Sequence, residues 1–240
     1  MILRNKQFGS QPVVVHAHGP LLSAPHWQPI REAFFAQEPR AIGPPGDLTI
    51  ITCNNGHPSM GLLERSLDRL GVPYVVTGRG IDPWVNARDK PRAILQAAQE
   101  AETQYLLYAD SRDAIVLDDP RIVVERFRTR FTCDLVFGAD RINWPTVDRF
   151  RRFEDAVAGE EAAQDFRYLN GGAWIGRTEF CRQFFADAVA TPPAPEIEAA
   201  EQGILKQLFQ KYHPRVQLDY GCSMFQNIGF LFAPVLEIVP

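Results

Sequence analysis

Asp110 and Asp113 stand three residues apart at the end of an apolar run, Tyr105-Leu106-Leu107-Tyr108-Ala109, and hydrophobicity resumes at Ala114-Ile115-Val116-Leu117. Aspartate weakens a strand and an unpaired carboxylate is costly to bury, so two acids set into a core run need a partner. A hard divalent cation, shared between protein oxygens and a phosphate, suits them. The competing reading is a strand that ends in an Asx-type turn with both acids solvated. An isolated D-x-x-D does not separate the two, and the rest of the chain has to.

The elements that must position the pair follow an α/β rhythm. Residues 48–53 read as a buried strand. Residues 60–70 read as an amphipathic helix with Leu63, Leu67 and Leu70 on one face, closed by Gly71. A second strand at 73–77 and a second helix at 90–102 lead to the strand 105–109 that delivers the acids. Upstream, residues 12–20 read as a strand, 29–37 as a helix and 39–46 as a breaker-rich link. Downstream, 134–140 reads as a strand ending in Asp140, and 166–176 as two short strands around a glycine turn. Helices follow at 178–190 and 197–211, then short segments at 218–219 and 224–227 and an apolar tail. Such alternation implies a largely parallel sheet with helices on both faces, with ligands at the carboxyl ends of its strands. The glycine signatures of a dinucleotide fold and of a P-loop are both missing.

Composition narrows the function classes. A chain of 240 residues with 45% hydrophobic residues fits one sizeable globular domain. The net charge of −4, with acids and bases interspersed, offers no basic field for nucleic acid. Cys53, Cys133, Cys181 and Cys222 lie far apart without a C-x-x-C pair, which argues against zinc and suits a reducing, cytoplasmic setting. No signal-like stretch and no run long enough to span a bilayer is visible, so the expectation is a soluble protein.

The motifs occur in the order Y-A-D-S-R-D, L-V-F-G-A-D-R-I-N-W-P, Y-L-N-G-G-A-W-I-G, A-E-Q-G-I-L and L-D-Y-G-C-S-M-F-Q-N between residues 108 and 227, and they carry a resemblance that covers roughly residues 48–232. This series resembles the glycosyltransferase domain of the procollagen lysyl hydroxylases and related collagen-type glycosyltransferases. The resemblance implies a GT-A-like, Rossmann-type α/β fold with a mixed, mostly parallel sheet flanked by helices. It further implies a metal-dependent glycosyltransferase that moves a hexose from a UDP-sugar, UDP-glucose or UDP-galactose, to a hydroxyl acceptor of unknown kind, with Mn2+ or Mg2+ as cofactor. Asp110 and Asp113 then become metal ligands. Thr52 would face the uridine, Trp84 would stack on the base and Lys90 would lie near the nucleotide, with Ser111 and Arg112 of the acidic motif beside it. Asp140, Trp144, Asn170 and Glu201 would line the donor-sugar and acceptor pocket.

Plainer readings stand beside these. Trp84 could be a half-buried loop aromatic, Lys90 a solvated helix residue, Asp140 a turn cap, Trp144 core, and Asn170-Gly171-Gly172 a tight hairpin. The chain also departs from the family in three places. Ala200-Glu201-Gln202 stands where the family has D-D-Q, which removes one acid. Arg112 replaces a residue that is often aromatic, and could stack on a base or pair with phosphate. The family's H-x-N-G segment, which carries a histidine ligand, follows its F-Q-N region, whereas the comparable Val13-Val14-Val15-His16-Ala17-His18-Gly19-Pro20 stands at the N-terminus here. The expectation is a circularly permuted single domain, residues 1–240, with an extension at 1–46 carrying the histidines and a core at 47–240. His16, in preference to His18, would be the third ligand and His18 would take the position of the family's asparagine; the plainer reading is an ordinary edge strand whose histidines are solvated or core. Two other functions are carried along: a non-catalytic sugar-nucleotide or glycan-binding module, and a magnesium-dependent phosphatase.

Overall fold

A computed structural model describes residues 1–18, 25–159, 165–229, 231 and 235–239. Gly19 and Pro20 of the expected N-terminal strand lie outside the described residues. In chain order the first half comprises β1 (Ile2–Asn5), β2 (Val14–His16), α1 (Trp27–Phe35), β3 (Leu48–Cys53), α2 (Leu62–Leu70), β4 (Val75–Thr77), α3 (Asn86–Glu100), β5 (Tyr105–Ala109) and β6 (Ala114–Val116). The second half comprises α4 (Arg121–Arg130), β7 (Leu135–Asp140), α5 (Asp148–Ala158), β8 (Tyr168–Arg177), α6 (Thr178–Ala190), α7 (Glu201–Tyr212), β9 (Val216–Asp219), β10 (Phe225–Asn227) and β11 (Leu236–Val239).

The main sheet has six strands in the order β4-β3-β5-β8-β7-β9. Only β8 runs against the others, since β3 is parallel to β4 and β5, β7 is parallel to β9, and β8 is antiparallel to β5 and β7. This is the mixed, mostly parallel α/β sheet that the sequence implies. Helices cover both of its faces. Trp174 of β8 stacks on Tyr108 of β5 and meets Phe185 of α6. Tyr105 of β5 projects from the opposite face, by strand alternation, and meets Phe127 of α4. Helix α2 buries Leu63, Leu67 and Leu70 and ends at Gly71, whose φ of 64° supplies the left-handed cap.

A small second sheet, β10-β2-β6, places the N-terminal segment within the fold. Its middle strand, β2, is fully buried and pairs parallel to β10 and antiparallel to β6, with His16 opposite Asn227 on one side and Ala114 on the other. The outermost strands, β1 and β11, pair antiparallel, so Ile2 lies opposite Val239. Among the described residues no helix is long and apolar enough to cross a membrane.

Three local expectations need correcting. Residues 168–177 form one continuous strand rather than two around a turn. The pairing with β7 jumps from Phe137–Trp174 to Gly138–Asn170, so residues 171–173 are taken up as a bulge. The last long helix begins at Glu201 instead of 197. Helices α4 and α5 are additional to the elements legible in the sequence.

Candidate active site

The parallel strands β5 and β7 end at one edge of the sheet, and each delivers an acid there: Asp110 directly follows β5, and Asp140 is the last residue of β7. The reversed strand β8 reaches the same edge with its first half, bringing Asn170 and Gly172. A cavity of about 570 Å³ opens here, within the roughly 300–1,000 Å³ typical of small-molecule sites. Its walls include His16, Trp84, Lys90, Asp110, Ser111, Arg112, Asp113, Asp140, Trp144, Asn170 and Glu201. Thr52 is the exception among the expected site residues. It is completely buried, its hydroxyl donates to the Ala109 carbonyl at 2.7 Å, and its neighbours Cys53 and Asn55 line the wall instead.

His16, Asp110 and Asp113 each offer a ligand atom within 4.8 Å of the others. Nε2 of His16 lies 3.4 Å from Asp110 Oδ2 and 3.3 Å from Asp113 Oδ1, distances that make the contacts ionic rather than well-formed hydrogen bonds. The ring's other nitrogen is committed. Asn227 donates through Nδ2 to the Ala139 carbonyl at 2.8 Å, so its Oδ1 must accept, and it accepts from His16 Nδ1 at 2.8 Å. A proton held at Nδ1 leaves Nε2 as the ligating atom, the arrangement in which a second group orients a metal-binding imidazole. Glycine makes the approach possible: a Cβ on Gly172 would stand 2.0 Å from the ring.

Asp110 divides its two oxygens. Oδ1 accepts from Lys90 Nζ at 2.8 Å and from the Tyr108 hydroxyl at 2.5 Å, while Oδ2 faces His16. Burial works against the charge on Asp110, but the Lys90 ammonium and the His16 imidazole overcome it and hold the carboxyl well below the usual range. Burial would likewise strip His16 of its second proton, yet the carboxylates of Asp110 and Asp113 outweigh it and raise the imidazole to about 10. Two carboxylates, a ring nitrogen and a neutralising proton together form a set in which a divalent cation can replace the proton. The donor set, the fixed tautomer and the buried, unbonded Nε2 of His16 all fit such a cation.

Lys90 is buried rather than solvated. Its ammonium also donates to Glu201 Oε1 at 2.7 Å, and the carboxylates of Asp110 and Glu201 outweigh burial and raise its proton affinity. Asp89 reaches back to the Val85 N–H at 2.6 Å and fixes the start of α3, the helix that presents Lys90. Trp84 is half-buried, and its Nε1–H donates to Asn86 at 2.5 Å. Trp144 is 46% exposed, which removes the core reading and leaves an indole face at the cavity rim. Arg112 is also largely exposed, 3.5 Å from Asp113.

Asp140 does cap a turn, accepting from the Ile142 N–H at 3.2 Å, but it also accepts from Asn170 Nδ2 at 2.9 Å and faces the cavity. Ser111 works mainly as a clamp. Its hydroxyl donates to Glu64 at 2.8 Å and accepts from the Gly61 N–H, and its carbonyl accepts from the first amides of α2.

Sequence reasoning missed Tyr108, Asn227, Glu64 and Gln202. Tyr108 was findable, since strand alternation puts it on the face of Asp110. Gln202 bridges the Gly171 N–H and the Trp144 carbonyl, at 3.0 and 2.6 Å. Glu64 carries no signal, because an acid on an amphipathic helix reads as solvated. Cys53 lines the wall, but burial pushes its thiol up to about 12, so it is no nucleophile near neutrality.

A larger cavity of about 950 Å³ lies between residues 8–11, α4 and residues 217–223. Two of its charged groups are committed to its own loops: Asp219 accepts from the amides of Ser223, Met224 and Phe225, and Arg126 donates to the carbonyls of Gln11 and Ser223. The chemistry is concentrated in the smaller cavity.

Fold and site together define an α/β domain with an acid–histidine cluster at the carboxyl edge of a mostly parallel sheet. The family described as the PLOD GT domain matches residues 91–235, more than half of the chain, and the chain belongs to this glycosyltransferase family. The match spans Asp110, Asp113, Asp140 and Asn170 but begins after His16, Trp84 and Lys90. No curated protein matches the chain.

Solved structures are similar at low identity, two glycosyltransferases among them. A glycosyltransferase involved in glycosylation of the major capsid of PBCV-1 has 13% identity and a TM-score of 0.43, over 71% of this chain and 80% of that one. Mouse xyloside xylosyltransferase 1 in its apo form has 9% identity and a TM-score of 0.39, over 73% and 84%. At these scores neither likeness bears on function.

Proposed function

We propose that this glycosyltransferase moves a hexose from a UDP-sugar, UDP-glucose or UDP-galactose, to a hydroxyl acceptor, with Mn2+ or Mg2+ held by His16, Asp110 and Asp113. The observation that carries this reading is the convergence of His16, from the N-terminal strand, on the acid pair, with its tautomer set by Asn227. When bound, the cation supplies Lewis-acid neutralisation of the charge on the departing diphosphate.

The chain's own residues do the rest. The Trp84 ring and the wall formed by Cys53 and Asn55 receive the nucleoside, Thr52 supports that wall from behind through Ala109, and Ser111 holds the acidic loop on α2. Arg112, exposed beside Asp113, pairs with phosphate through its guanidinium fork. Lys90 keeps Asp110 Oδ1 occupied, so that Oδ2 alone is offered to the cation. Asp140 and Asn170 hydrogen-bond sugar hydroxyls, the exposed indole of Trp144 offers a flat apolar face to a pyranose ring, and Glu201 orients the acceptor hydroxyl.

The reading treats residues 1–240 as one domain, with 1–46 contributing the histidine strand to a core at 47–240. Four free, buried thiols suit a reducing, cytoplasmic setting.

The test is release of UDP from a panel of UDP-sugars with Mn2+, with and without EDTA. The expected result is metal-dependent release from a UDP-hexose that Asp110→Ala abolishes. Nucleotide binding without turnover would favour a non-catalytic binding module, and free phosphate from simple esters would favour a phosphatase; either outcome would overturn the proposal.

A further inference from the structure

His18 lines the same cavity as His16, but its ring serves a different partner. The two rings lie 5.5 Å apart, and Nε2 of His18 sits 3.1 Å from Asp140 Oδ2. Its Nδ1 is buried with no hydrogen-bond partner, so Asp140 is the ring's polar anchor. The seat is closely fitted, since a Cβ on Gly229 would stand 2.2 Å from His18 Cε1.

Asp140 is held from three segments. The Ile142 N–H donates to Oδ1 at 3.2 Å and Asn170 Nδ2 donates to Oδ2 at 2.9 Å, while His18 Nε2 lies in close polar contact with the same Oδ2. Asn170 cannot reverse its amide, because its Oδ1 accepts from the Gly172 N–H at 2.8 Å. An ionised carboxylate has about four acceptor positions, so two hydrogen-bond donors and the His18 contact leave about one open. By contrast, the buried Asp219 has its oxygens filled by amides and a hydroxyl of its own loop. Asp140 is fixed as firmly, yet it faces a cavity.

We propose that His18 is a positioning residue for the donor hexose: with Asn170 it fixes the Asp140 carboxylate so that its remaining acceptor position meets a hydroxyl of the sugar. This rests on the UDP-hexose reading above. His18 then contributes to recognition of the hexose and to neither the nucleotide nor the cation. A side chain that restores an N–H donor at the same reach replaces it.

The experiment measures the affinity of Mn2+ alone, and of UDP, UDP-glucose and UDP-galactose with Mn2+, by calorimetry on the full chain. The variants are His18→Ala, His18→Gln, Asp140→Asn and the double variant His18→Ala/Asp140→Asn, each checked for an unchanged melting temperature. One hydrogen bond to a charged group corresponds to a change of about tenfold or more. The expected result is that His18→Ala removes about tenfold of the advantage a UDP-hexose has over UDP. UDP and Mn2+ affinities stay level, His18→Gln recovers most of the loss, and His18→Ala adds nothing once Asp140 is Asn. Equal weakening of UDP or Mn2+ binding, or an additive double variant, overturns the proposal. A wild type that binds no UDP-hexose overturns the donor reading and this proposal with it. A wild type that does bind one, with an affinity indifferent to His18→Ala, overturns this proposal alone.

Discussion

At the residue scale the site turns on one imidazole between two carboxylates. Without a cation, His16 carries a proton that Asp110 and Asp113 retain up to about pH 10, well above the ordinary value of 6.5. A raised histidine stabilises the folded state fully below pH 6.5, and that contribution is lost as pH climbs to about 10. Binding of the proposed cation should run the other way, because the proton on Nε2 would have to leave first, so affinity should rise with pH across the same window. Calorimetry near pH 7.5 in buffers of different ionisation enthalpy should register about one proton released per Mn2+ bound. No proton release would mean that His16 is not a ligand. Asp110 belongs to the same set, with one oxygen given to Lys90 and Tyr108 and the other to His16.

At the element scale, the cavity wall depends on how α5, α7 and β8 are tied together. Lys206 of α7 is 1% exposed and donates to Glu154 of α5 at 2.6 Å and to Asn143 at 2.9 Å, while Glu154 also accepts from the Leu169 N–H of β8. Asn143 precedes Trp144, and Gln202 of α7 holds the Trp144 carbonyl, so the exposed indole rests on a braced loop. Burial opposes both charges, raising Glu154 and lowering Lys206 from their ordinary values. Lys206→Met should therefore cost about 3–5 kcal/mol in denaturant unfolding, by leaving Glu154 buried without its ammonium. Lys206→Met/Glu154→Leu should recover much of that loss. A single variant within about 0.5 kcal/mol of wild type would mean that water already relieves the pair.

These ties also show what the sequence could and could not convey. The strands that carry Asp110 and Asp140 were legible because apolar runs end in acids. The brace was not, since Glu154 sits in the charged stretch Arg151-Arg152-Phe153-Glu154-Asp155 and Lys206 is a lone cation in an apolar helical run, and a single charge on a helix reads as solvated. Helix α4 was hidden by its β-branched run, Ile122-Val123-Val124, and by burying few residues, notably Val123 and Phe127. The pair Gly171-Gly172 resembled a turn, whereas the glycine at 172 serves to pass a strand beneath the His16 ring.

At the scale of the whole molecule, the two ends of the chain meet in the β1–β11 pair, and the strand that bears His16 is the centre of a small sheet whose flanks come from far along the sequence. Order along the chain is thus separable from position in space. A variant opened between Pro45 and Gly46, with its original ends joined by a short Gly/Ser linker, should fold and keep its Mn2+ affinity within a few-fold. Loss of cooperative unfolding in that variant would show that the order of segments matters to the fold itself. The most direct measurement is Mn2+ affinity by electron paramagnetic resonance for wild type and His16→Ala at pH 7.5. The account predicts tight binding in the first and a loss of tenfold or more in the second, with the melting profile preserved. Equal affinity in the two proteins would contradict it, because the acid pair would then bind the cation without the strand that brings His16 to it.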